Sequence, residues 1–66
     1  MTIKFPEATV NLNSVDGNAF SILAAVRKAL RDEGATQEEV KTYIDEATSG
    51  DYDNLLQVSM RWVNVE

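Results

Sequence analysis

Sixty-six residues, 44% of them apolar, leave room for one hydrophobic core and exclude a second, so residues 1–66 are read as a single small domain. The chain has neither cysteine nor histidine, which excludes disulfides and the common structural zinc sets and leaves packing or a partner to supply stability. A formal net charge of −5 makes this a small acidic protein and disfavours nucleic acid as its ligand. No apolar run approaches the roughly 20 residues of a membrane span. Met1-Thr2-Ile3-Lys4-Phe5-Pro6 lacks the apolar stretch and small-residue cleavage site of a secretory leader. The expectation is a cytoplasmic protein without membrane contact.

From the N-terminus, Ala8, Val10 and Leu12 alternate with Thr9, Asn11 and Asn13, which predicts a strand with one buried face. Ile3 and Phe5 alternate in the opposite parity, and the change at Pro6-Glu7 predicts a kink or bulge there. A two-residue hairpin is disfavoured because neither residue suits positive φ. Asp16-Gly17-Asn18 reads as a turn, with Asn18 or Asp16 able to cap the helix that follows. That helix runs from Ala19 to about Glu33, its apolar stripe comprising Ala19, Phe20, Ile22, Leu23, Val26, Ala29 and Leu30. Ser21, Arg27, Lys28, Arg31 and Asp32 fall mainly on the other side, and Gly34 ends the helix.

Thr36-Gln37-Glu38-Glu39 has the spacing of a capping box. The second helix then extends to about Ala47, burying Val40, Tyr43, Ile44 and Ala47, and Ser49-Gly50 closes it. Asp51 is the next N-cap, with Leu55, Leu56, Ser59 and Met60 following at helical spacing. Trp62-Val63-Asn64-Val65 alternates like a strand, and Trp62 at the junction is expected to anchor the core. The fold class is therefore α+β: a three-helix core with a short two-stranded sheet formed by the N- and C-terminal segments. The strands near Ala8–Leu12 and Trp62–Val65 are expected to pair antiparallel.

The stretches Asp16-Gly17-Asn18-Ala19-Phe20 and Ala47-Thr48-Ser49-Gly50-Asp51-Tyr52-Asp53-Asn54-Leu55-Leu56, together with the ending Trp62-Val63-Asn64-Val65-Glu66, resemble a group of small uncharacterised bacterial and phage proteins. The resemblance spans nearly the whole chain and implies no activity. It directs attention to the loops at 16–18 and 49–53, whose plainer explanation is that turn residues bound helices there.

Little in the chain suits catalysis. Without His or Cys there is no ready base near neutral pH and no activated thiol or hydroxyl of the usual kind. Glu38/Glu39 and Asp45/Glu46 are helical neighbours about 100° apart, so they do not form dyads. Asp51 and Asp53 straddle a helix start, where the dipole favours negative charge. Asp51-Tyr52-Asp53 opens like a calcium loop, but the sixth position is Leu56 where Gly is required, and the twelfth is Trp62 where Glu is required. Asp16-Gly17-Asn18 is a poor anion cradle, because Asp16 repels phosphate. No catalytic, cofactor-binding or metal residues are assigned; the protein is not expected to be an enzyme, and no cofactor is implied.

Three helices could form a helix-turn-helix, but the third, in the reading position, would present Asp51 and Asp53 to the duplex. Arg27, Lys28 and Arg31 form a basic cluster on the first helix instead, and a nucleic-acid-associated regulator using that cluster is the alternative function. Residues 36–54 hold six acids and one base, which accounts for the whole net charge. Such a face either solubilises the protein or meets a basic partner, including the basic cluster of another copy. The function expected is a protein–protein interaction or accessory module without catalytic activity, with another protein as partner and a homodimer as a second option.

Overall fold

The computed structural model describes residues 3–12 and 17–66. In chain order these residues form β1 (Phe5–Val10), α1 (Ala19–Asp32), α2 (Gln37–Ala47), α3 (Tyr52–Trp62) and β2 (Val63–Val65). The architecture is α+β, as the patterning predicts. Asn13 and Asp16, the second cap candidate, lie outside the described residues.

Four of the helix boundaries have a local cause that the sequence announces. The Asn18 side chain caps α1 by accepting from the Ser21 N–H at 2.9 Å. At the other end Gly34, at φ +84°, makes a Schellman closure, its N–H bonding Arg31 O while Ala35 N–H bonds Leu30 O. The capping box of α2 is complete: Thr36 Oγ1 accepts from Glu39 N at 3.1 Å, and Glu39 Oε1 accepts from Thr36 N at 2.8 Å. Asp51 caps α3 through the Asn54 N–H at 2.9 Å. Thr36→Ala is expected to lower stability by about 1 kcal/mol, read as a shift in urea midpoint at unchanged slope.

The strands correct the expected geometry. They pair parallel, not antiparallel, with Phe5 opposite Val63, Thr9 opposite Asn64 and Val10 opposite Val65. Parallel strands need a crossover of a dozen or more residues, and the three helices between β1 and β2 supply it. Phe5 and Thr9 face consecutive residues of β2, so the register shifts between them, where the parity change at Pro6-Glu7 predicts a bulge. Beyond the strands, Lys4 N–H bonds Arg61 O at 3.0 Å and Leu12 N–H bonds Glu66 O at 3.1 Å. Trp62 is the last residue of α3, not the first of a strand, and β1 ends at Val10, two residues earlier than the alternation suggests.

The core sits between the sheet and the helices. Ala8 and Val10 enter it from β1, Ile22, Val26 and Leu30 from α1, and Val63, fully buried, from β2. Trp62 is 4% exposed. Its ring stacks on Phe5 with centroids 6.2 Å apart and takes the edge of Tyr43 at 5.8 Å. Lys4 Nζ lies 4.4 Å from the ring centroid, and Nε1 donates to Glu46 Oε1 at 2.9 Å. Tyr43 and Ser59 form a buried polar pair, their oxygens 2.7 Å apart, and Ser59 Oγ donates to Leu55 O. Ser59 has one hydroxyl proton, so the phenol is the donor between them. No buried side-chain nitrogen or oxygen among the described residues lacks a partner. No described helix is long and apolar enough to cross a membrane.

Two apolar residues leave the positions their spacing suggests. Phe20 is 84% exposed, because Ile22, Val26 and Leu30 centre the buried stripe and Phe20 lies two residues, about 200°, from it. Met60 is likewise 52% exposed, the buried face of α3 running through Leu55, Val58, Ser59 and Trp62.

Candidate functional site

Gly17 and the loop at 49–53 are far apart in the chain and meet in the fold. Tyr52, the first residue of α3, donates its hydroxyl proton to the Gly17 carbonyl at 2.6 Å, tying the start of α3 to the start of α1. The second loop is held from within: Ser49 Oγ and Asn54 Nδ2 both donate to Glu46 O, at 2.7 and 3.0 Å. Glycine at position 50 permits this fold-back, since a Cβ there would sit 3.0 Å from Cβ and Cγ of Asn54.

Two shallow apolar grooves flank this junction. One, of about 260 Å³, is lined by Ala19, Phe20, Leu23, Ala47, Tyr52 and Leu55, with Thr48 and Asp51 at its rim. The other, of about 250 Å³, is lined by Phe20, Leu23, Ala24, Ile44 and Arg27. Phe20 and Leu23 belong to both, so the grooves adjoin in a strip along α1, with Asp51 lining only the first and Arg27 only the second. Tyr52 is 46% exposed on this strip. The spacing of apolar residues places Phe20 in the core stripe; its displacement from the Ile22–Val26–Leu30 line is the signal that marks it as a surface residue.

The charged residues divide differently from their sequence grouping. Of the acids between 36 and 54, Glu39 and Asp51 serve as capping groups, Asp53 accepts from Gln57 Nε2, and Glu46 holds the Trp62 indole. The bases Arg27 and Lys28 of the first-helix cluster have different surroundings. Lys28 pairs with Asp32 at 2.8 Å, both side chains solvent-facing, and this contact raises the lysine pKa above its ordinary value. Arg27 turns to the apolar strip. A larger, polar cleft of about 580 Å³ lies beside Trp62, but Glu46 and Lys4 on its wall are already engaged with the indole. Among the described residues, no group of three or more acidic side chains converges as a metal site would require.

Comparison with protein-family models, with curated proteins and with solved structures finds no match to this chain.

Proposed function

We propose that this domain is a protein-interaction module without catalytic activity, and that its contact surface is the strip centred on Phe20. The observation that carries this reading is the 84% exposure of Phe20 beside an aromatic neighbour, Tyr52, whose hydroxyl is tethered. A phenyl ring left in water beside further apolar side chains forfeits burial energy that a partner would recover. A tethered Tyr offers contact area at low entropic cost, and rigid aromatics supply much of the energy in protein interfaces. The partner is a protein surface. The setting we take to be the cytoplasm, in a bacterium or phage-infected cell, in keeping with the resemblance to small proteins of those genomes. The first-helix bases give less support to a nucleic-acid regulator, since Lys28 is paired and Arg27 borders apolar surface.

Affinity capture with the parent domain, Phe20→Ser and the triple variant Arg27→Gln/Lys28→Gln/Arg31→Gln tests this. A defined protein should be held by the parent and weakened roughly tenfold or more in Phe20→Ser, because truncating a central interface aromatic costs at least about 1–2 kcal/mol. Unchanged capture by Phe20→Ser would contradict the proposal. Steeply salt-dependent DNA or RNA binding, lost in the triple variant, would establish the regulator instead.

A further inference from the structure

We infer that the strip centred on Phe20 pairs with a second copy of this chain about a twofold axis, a conclusion that rests on the interaction surface proposed above. The strip carries opposite charge on its two halves, Asp51 lining one and Arg27 the other, with Phe20 and Leu23 common to both. A twofold rotation about its middle exchanges the halves. Arg27 of each copy then meets the partner's Asp51, and the contact occurs twice. The same operation lays the two Phe20 rings against apolar surface on both sides, removing from water a side chain that is 84% exposed in the single chain. An unrelated partner needs a surface evolved to match both the apolar middle and the two charged halves; a second copy supplies that match by symmetry alone.

The free edges of the two-stranded sheet offer a rival route to self-association, and the same experiment separates them. Sedimentation equilibrium of the whole chain, from micromolar to millimolar concentration and at low and high salt, gives the dissociation constant directly. A monomer–dimer equilibrium that weakens with salt is expected. Phe20→Ser should weaken it roughly tenfold or more, with an unchanged circular dichroism spectrum because Phe20 is exposed. Arg27→Glu should weaken it as well, and adding Thr48→Lys, on the same groove as Asp51, should restore part of it by giving the new carboxylate a cation to face. A parent protein that stays monomeric to millimolar concentration overturns the inference, as does a dimer insensitive to Phe20→Ser, which would place the contact on a strand edge. If the parent is monomeric yet captures another protein through Phe20, only the second copy is lost and the interaction-module reading stands. If neither self-association nor capture responds to Phe20→Ser, both fall.

Discussion

Trp62→Ala is expected to leave the domain unfolded, or nearly so, at room temperature. The indole is 4% exposed and makes four distinct contacts: the Phe5 ring, the Tyr43 ring, the Lys4 ammonium and the Glu46 carboxylate. Phe5 comes from β1, Tyr43 and Glu46 from α2, and Trp62 itself ends α3, so truncation loosens three elements together. Removing a buried aromatic costs about 3–5 kcal/mol, which rivals the whole stability of a domain at the lower end of the usual 5–15 kcal/mol range. Trp62→Phe separates the causes. It keeps an aromatic ring for stacking and loses the bond to Glu46, so it should fold with a loss of about 1–3 kcal/mol. Urea unfolding followed by circular dichroism reads both variants. A Trp62→Ala protein within about 1 kcal/mol of the parent would show that the ring does not bind these elements together.

The second large effect concerns Tyr43, fully buried at the centre of α2. Tyr43→Ala should be as damaging as the tryptophan truncation, about 3–5 kcal/mol, because it opens a cavity against Trp62 and removes the phenol that donates to Ser59. Tyr43→Phe should fold, losing about 1 kcal/mol with the hydrogen bond to Ser59. Its diagnostic is alkaline stability. Burial pushes the Tyr43 phenol above its ordinary value of 10.0, while Ser59, able to turn its proton toward a phenolate, offsets part of the shift. Above pH 10.0 the unfolded chain gives up a proton that the folded chain retains. This contribution to stability is therefore fully present below that pH and drains away as the pH rises through the folded value. Parent and Tyr43→Phe should thus converge in stability as the pH climbs beyond 10.0. Parallel curves would mean that Tyr43 ionises as easily in the folded protein as in the unfolded one.

What could be read from the chain divides by the range of the interactions involved. The helix boundaries were legible because their determinants are local: Asn18 reaches Ser21, Thr36 and Glu39 reach each other, and Asp51 reaches Asn54, all within three residues. The kink near Pro6 was legible because side-chain parity changes there. Strand direction was not, because alternation is the same in parallel and antiparallel pairs, and the direction depends on how three helices return the chain to the sheet. Glu46 looked like part of a solvated acidic face, and only the approach of Trp62 from sixteen residues away gives it a structural partner. The candidate surface was half legible. The turn residues at 16–18 and 49–53 stand out in the sequence, whereas the bond from Tyr52 to Gly17 spans thirty-five residues. Phe20 was misplaced because a stripe drawn generously around Ile22 and Leu23 absorbs it; the narrower line through Ile22, Val26 and Leu30 leaves it in solvent.

The central claim, that the Phe20 strip is where this domain meets a partner copy, is tested most directly by amide chemical shifts recorded over a dilution series. Concentration-dependent shifts are predicted at Phe20, Leu23, Arg27, Thr48, Asp51 and Tyr52, fitting a single dissociation constant, with Glu7, Thr9 and Asn64 on the strands unmoved. Shifts confined to the strands, or a spectrum that does not change up to millimolar concentration, would contradict it.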